Sequence, residues 1–202
     1  MLKLTFSNHD LLLRHYRKKL LIDVKSVQNN VEYFTEDIKK IIPHREPILL
    51  LDSINAIDIN SSFIIGKRFI SPDDPIFRGH FPAYPVYPGS MQVEMIGQLG
   101  ICLQFFTYHN TIEIKTEAKP LKILATRIRG ANFVEPIKPG ANVTIIIHKL
   151  RQKRRFSTFI GQALVDNKIA CVLIGEIVLL DENYEVVRKK KQKLKNPQTP
   201  DA

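Results

Sequence analysis

Between Arg78 and Glu113 the chain carries a single Asp, Glu, Lys or Arg side chain, Glu94, although 25% of all its residues are charged. Gly89 and Ser90 open the apolar part of this stretch, which runs to about Tyr108. Met91, Met95, Leu99, Cys102 and Phe106 recur at helical spacing on one face, while Val93, Ile96, Leu103 and Phe105 lie elsewhere around the same cylinder. A helix that is apolar on nearly every side has to be enclosed by the rest of the protein. Gly97 and Gly100 inside it permit close backbone approach.

The remaining sequence supplies strands to do the enclosing. Residues 48–51, 63–70, 121–129, 142–150, 156–165 and 169–180 are rich in Ile, Val, Leu and Phe, and the polar stretch 58–62, Pro139-Gly140 and Asp166-Asn167 are turn signals between them. Thr35 is placed to cap a short helix through Ile42, which stops at Pro43 because the residue before proline is pushed out of the helical region. One enclosed helix plus an antiparallel sheet large enough to wrap it is an α+β arrangement. The 202 residues, 44% hydrophobic, suffice for one core and not comfortably for two. The expected organisation is an N-terminal arm over residues 1–30, one domain over 31–182 and a basic tail over 183–202.

No apolar run approaches the roughly 18 to 20 residues of a spanning helix, and the N-terminus lacks the order of a secretory signal, so a soluble, cytoplasmic protein is expected. Cys102 and Cys171 sit in apolar surroundings and read as buried, reduced thiols, with neither a disulfide framework nor a Cys-x-x-Cys metal site available. The net charge of +10 is concentrated in two places. The run from Arg188 to Lys195 holds six positive charges and no acid, and Lys149, Arg151, Lys153, Arg154 and Arg155 fall at the end of an expected hairpin. Neither cluster interleaves its charges with the aromatic residues that stack on single-stranded bases, which argues against nucleic acid as the partner.

The isolation of Glu94 marks it as a chemical group. Burial on an enclosed helix raises a carboxyl pKa and the nearby positive end of the helix dipole lowers it; either outcome leaves a group suited to proton traffic near neutral pH. Fourteen residues upstream, His80 stands in Phe77-Arg78-Gly79-His80-Phe81-Pro82, on a proline-stiffened loop leading to this helix. Pro88-Gly89 ends that loop where unpaired backbone N–H groups can stabilise an oxygen that gains negative charge. An acid, a base and an anion-stabilising helix end are the parts of an enolate-forming site. Taken singly, His80 also reads as a hydrogen-bonded loop histidine and Glu94 as a dipole-complementing surface residue. His44, next to Pro43, reads as tying down a turn; it and His109 and His148 are assigned no site.

The segment from Gly79 to Gly89, followed by Glu94-Met95-Ile96-Gly97-Gln98, resembles the active-site segment of the hotdog-fold 3-hydroxyacyl-[acyl carrier protein] dehydratases, in the branch with glutamate on the central helix. Pro43-His44-Arg45 with Leu49-Leu50-Leu51-Asp52 is similar to the family's opening block, and the run from Ala131 to Gly140 to its later strand-turn signature. The resemblance covers roughly residues 31–180. It implies a curved antiparallel sheet around the central helix and a homodimer, often a trimer of dimers, whose sites take His80 from one subunit and Glu94 from the other. By the same resemblance, His80 removes the C2 proton of a (3R)-3-hydroxyacyl thioester, Glu94 protonates the departing hydroxyl, the Gly89 N–H polarises the thioester carbonyl and Gln98 orients Glu94. No metal or other cofactor is implied.

Two departures bear on the acyl tunnel. Glu46 stands where the family usually has an aromatic residue, and Ala83-Tyr84 replaces the usual Gly-Asn, so that Phe81, Tyr84 and Tyr87 become candidate tunnel-lining residues. The basic surface implies an acidic carrier protein as partner, whose encounter it would speed and salt would slow. Two other readings fit the same residues. In a hotdog-fold acyl-thioester hydrolase Glu94 would activate water and His80 would be dispensable; a non-catalytic acyl or carrier-protein binding module would keep only the fold.

Overall fold

The computed structural model describes residues 9–180, and the basic tail expected over 183–202 lies outside them. Strands β1 (Tyr33–Phe34), β2 (Ser53–Asp58), β3 (Phe63–Phe69), β4 (Ile123–Phe133), β5 (Asn142–Lys153), β6 (Phe156–Val165) and β7 (Lys168–Leu179) form one antiparallel sheet in the order β1-β2-β3-β5-β6-β7-β4. Helix α3 (Gly89–His109) packs against β3, β4, β5, β6 and β7, the hotdog arrangement that the resemblance implied. Two shorter helices, α1 (His9–Tyr16) and α2 (Thr35–Ile41), complete the described helices longer than one turn. The β6–β7 hairpin closes through Asp166 and Asn167, both at positive φ (48° and 61°), which small polar residues tolerate and which matches strand twist.

The core is the meeting of α3 with the sheet. Met95, Ile96, Leu99, Cys102, Leu103 and Phe106 are almost fully buried against residues such as Leu51, Ile64, Ile145, Phe159 and Leu173. Each such side chain contributes about 1.5–3 kcal/mol of burial free energy, so the apolar cylinder is the largest single asset of the fold. The approach is close: a Cβ on Gly161 of β6 would land on Ile96 Cγ2 and lie 2.6 Å from Ile147 Cδ1, and one on Gly100 would lie 3.1 Å from the Phe159 ring.

Enclosure is nonetheless incomplete. Ser90 is exposed and Val93, Glu94, Gly97 and Ile101 are half-buried, a stripe at helical spacing along α3. A Cβ on Gly97 would meet nothing within 4 Å, so this glycine, unlike Gly100, serves no approach within the chain. β4 is an edge strand of the sheet, and Ile128 in its middle is 59% exposed.

The opening block folds differently from the sequence expectation. Leu49, Leu50 and Leu51 are buried but form no strand; Leu50 N–H donates to the Gln98 side chain at 2.9 Å instead of to a neighbouring strand. The strand comes later, as β2, whose bulge between Ile54 and Ala56 breaks the alternation that would have revealed it. Thr35 is the first residue of α2 rather than its cap; Phe34 takes the cap position and Thr35 Oγ1 donates to Asp52 O at 3.4 Å.

Residues 9–27 lie across the outer face of the sheet. Leu13 of α1 is buried with Leu150, Ile160, Val172 and Ile174, and a Cβ on Gly130 of β4 would lie 2.6 Å from Leu13 Cδ1. Leu20, Leu21, Ile22, Val24 and Val27 then cover Ala56, Ile65, Ile146 and Leu164. The fully buried Gln162 of β6 anchors this strap: its Oε1 accepts from Leu21 N (2.9 Å) and its Nε2 donates to Tyr16 O (2.6 Å) and Lys19 O (2.9 Å). Cys102 and Cys171 are buried free thiols, and burial pushes Cys171 up to about 12. Among the described residues no helix is long and apolar enough to cross a membrane.

Two substitutions test this packing by chemical denaturation. Gly161→Ala overpacks the helix-sheet contact and is expected to cost about 1–3 kcal/mol. Leu13→Ala unseats the strap and is expected to cost about 2–4 kcal/mol. Unchanged unfolding midpoints would contradict the close approach and the docked strap respectively.

Candidate active site

The loop between β3 and α3 is built to hold a histidine ring. Residues Pro75–Arg78 form one 3-10 turn, capped by the Asp74 side chain accepting from Ile76 N at 2.9 Å, and His80 N–H donates back to Ile76 O at 3.0 Å. The loop then closes on itself, Val86 N–H donating to His80 O at 3.2 Å. The His80–Phe81 peptide is cis, and the two rings stack with centroids 4.0 Å apart.

His80 Nδ1 lies 3.0 Å from Val86 O. A carbonyl oxygen only accepts, so Nδ1 carries the proton, and in the neutral ring Nε2 keeps its lone pair. The loop therefore fixes both the direction and the tautomer of a base. His80 is half-buried, which leaves that lone pair reachable.

Pro88 takes the cap position of α3, and Met91 and Gln92 N–H both donate to its carbonyl, at 3.1 and 3.2 Å. The amides of Gly89 and Ser90 precede the first intrahelical donor, Met91 N–H, and are free to bind an oxygen. Phe133, at the end of β4, lies across this helix end: a Cβ on Gly89 would sit 2.8 Å from its ring. Only glycine leaves the backbone open under that ring.

Glu94 lies on the open stripe of α3, its side chain 40% exposed. The 1% exposed Gln98, one turn on, is fully occupied: Nε2 donates to Glu94 Oε1 (2.8 Å) and Ile48 O (2.7 Å), and Oε1 accepts from Leu50 N (2.9 Å). One buried carboxamide thus ties the opening block to α3 and turns Glu94. His44 Nε2 lies 3.4 Å from the same Glu94 oxygen, a neighbour that the sequence reading left without a site.

Among the described residues no hydrogen bond, ion pair or ring contact joins His80 to Glu94 within the chain. The aromatic residues of the loop divide. Phe81 and Tyr84 are 52% and 57% exposed, with Lys138 Nζ 6.0 Å from the Tyr84 ring. Tyr87 is 2% exposed in the core, its ring 6.3 Å from that of Phe77, and burial pushes its hydroxyl up to about 12. Of the expected basic hairpin cluster, Arg151, Lys153, Arg154 and Arg155 are exposed. Lys149 turns inward, donates to Thr107 Oγ1 and is pushed down by burial to about 8.

Comparison with known proteins agrees with this geometry. Residues 42–173 match the FabA-like domain family. The 3-hydroxyacyl-[acyl-carrier-protein] dehydratase FabZ of Sulfurimonas denitrificans is 38% identical over 143 residues, 71% of this chain and 91% of that protein. The protein of the same name from Campylobacter jejuni is 32% identical, over 72% of this chain and 96% of its own length. Among solved structures, the dehydratase heterocomplex ApeI:P from Xenorhabdus doucetiae covers 75% of this chain and 96% of that one at 14% identity and a TM-score of 0.56. A mutant thioesterase PA1618 from Pseudomonas aeruginosa covers 76% and 99% at 11% identity and a TM-score of 0.51. The last two establish likeness of fold alone. With the match to residues 42–173 and this identity over nearly the whole length of curated relatives, the chain belongs to the FabA-like family of 3-hydroxyacyl-[acyl-carrier-protein] dehydratases.

Proposed function

We propose that the chain dehydrates (3R)-3-hydroxyacyl thioesters on acyl carrier protein to trans-2-enoyl thioesters in fatty-acid or specialised acyl-chain synthesis, with one site built from two subunits. The observation that carries the reading is the His80 tautomer: Nδ1–H on Val86 O leaves Nε2 as a base. His80 Nε2 takes the C2 proton, the Gly89 N–H holds the enolate oxygen, and the protonated Glu94 gives its proton to the C3 hydroxyl. Water leaves as the C2–C3 double bond forms. Acid, base and helix amides supply each step, so the mechanism invokes no cofactor.

The β4 edge is unpaired among the described strands, and α3, which packs on β4, leaves a half-exposed stripe; together these support a homodimer formed by antiparallel pairing of β4 with its copy. Gly97, with open space before it, leaves room for the partner beside Glu94. Such a seam would bring His80 of the partner subunit to Glu94, and further assembly into a trimer of dimers is compatible with it. The catalytic unit spans residues 31–182, with the arm over 1–30 and the tail over 183–202 as additions. Of the three candidate lining residues, the exposed Phe81 and Tyr84 are available to shape the acyl tunnel, whereas Tyr87 is enclosed in the core. Two buried free thiols fit a reducing, cytoplasmic setting.

Antiparallel pairing also supports a place for the carrier protein. Within a subunit the β5–β6 hairpin lies at the Ile123 end of β4, and Gly89 at the Phe133 end. Across the seam, Arg151, Lys153, Arg154 and Arg155 of one subunit then approach the helix end of the other, where an acidic carrier would present its acyl group.

His80→Ala and Glu94→Gln are each expected to lower turnover about 10²- to 10⁴-fold. Mixing the two inactive proteins restores one complete site per mixed dimer, about a quarter of wild-type activity at random assortment. No recovery in verified mixed dimers would refute the shared site, and thiol release from a saturated acyl thioester would favour hydrolysis over dehydration. Replacing Arg151, Lys153 and Arg154 with glutamine is expected to raise KM for carrier-bound substrate several-fold and flatten its salt dependence, with kcat for a pantetheine thioester unchanged. An unaltered KM and salt slope would move the docking site elsewhere.

A further inference from the structure

Two potential donors converge on one oxygen of Glu94. Gln98 Nε2 donates to Oε1 at 2.8 Å, and His44 Nε2 stands 3.4 Å from the same atom. Among the described residues no donor reaches Oε2. The backbone that carries His44 is pinned: the Arg45 guanidinium donates to the carbonyls of Lys39 (3.0 Å), Ile42 (3.0 Å) and His44 itself (2.6 Å), fixing the chain at the end of α2.

The other ring nitrogen, His44 Nδ1, is buried with neither donor nor acceptor beside it. A proton there would be an unsatisfied buried N–H, which is costly, so the proton of the neutral ring belongs on Nε2, facing Glu94. Burial lowers the His44 pKa, opposed by the charge of Glu94 and assisted by that of Arg45. These are the charged groups acting on His44. Those facing Glu94 are His44 and, in the dimer proposed above, His80 of the partner subunit.

We infer that His44 is a positioning residue: with Gln98 it reserves Oε1 of Glu94 as a hydrogen-bond acceptor, leaving Oε2 as the oxygen that holds and delivers the proton. The inference rests on the assignment of Glu94 as the acid. A carboxyl group without these two donors would rotate, and its proton would be shared between two oxygens of which one faces substrate. The 3.4 Å separation is longer than an aligned hydrogen bond, as is common before substrate closes a site.

The test is the pH dependence of dehydration in the full-length protein. An acid must be protonated, so kcat falls as pH rises through its pKa, and a donor to the carboxylate lowers that pKa. In His44→Phe the alkaline limb of kcat is expected to move to higher pH. Its plateau falls about tenfold, the scale of one lost hydrogen bond to a charged group, and KM changes less than about twofold. His44→Gln, whose amide nitrogen reaches about as far as Nε2, is expected to return the limb toward its wild-type position. On a Glu94→Gln background, His44→Phe is expected to cost less than about twofold, because its effect runs through the carboxyl group. Should His44→Phe not fold, His44→Asn, too short to reach Oε1, takes its place. An unmoved limb, or a full loss on the Glu94→Gln background, overturns the inference while the acid assignment stands; full activity of Glu94→Gln itself overturns both.

Discussion

Helix α3 is too apolar to face water and yet is not fully covered by its own sheet. Everything else follows from that mismatch. The sheet packs on α3 from β3 to β4 and ends at the β4 edge, and Val93, Glu94, Gly97 and Ile101 stay half-exposed along the helix. An open edge and an apolar stripe together call for a second copy. The one carboxyl group on the helix sits in that opening, on the surface that a partner would close. In the shared-site dimer proposed above, the same constraint would put the acid where two subunits meet.

Much of this was legible in the residues. The all-round apolar run predicted a central helix, and the structure places it at Gly89–His109. Strands β5, β6 and β7 announced themselves by β-branched runs between turn residues that adopt positive φ, Gly140, Asp166 and Asn167. What hid the opening block was chemistry between distant segments. Leu49-Leu50-Leu51 has the composition of a buried strand, but its backbone partner is a side chain, Gln98, which no local pattern reveals. The single bulge in β2 was enough to mask its period.

The site was legible in part for a similar reason. Gly89, Glu94 and Gln98 share one helix, and local spacing fixes their relation; His80 lies on the loop that feeds it. His44 belongs to another segment, and only tertiary packing puts its Nε2 beside Glu94. The arm was opaque because its apolar residues have no helical or strand period long enough to read. Its anchor, Gln162, is an isolated polar residue in an apolar strand, a signal that some backbone had to come and satisfy it.

The central claim is that His80 of one subunit and Glu94 of the other flank a single acyl chain. A crystal structure of the assembled protein with an uncleavable 3-hydroxyacyl analogue tests it most directly. The account predicts His80 Nε2 within about 3.5 Å of C2, Glu94 Oε2 from across the β4 seam at a similar distance from the C3 oxygen, and the carbonyl oxygen on the Gly89 amide. An analogue that contacts both groups within one subunit, or only one of them, would contradict it.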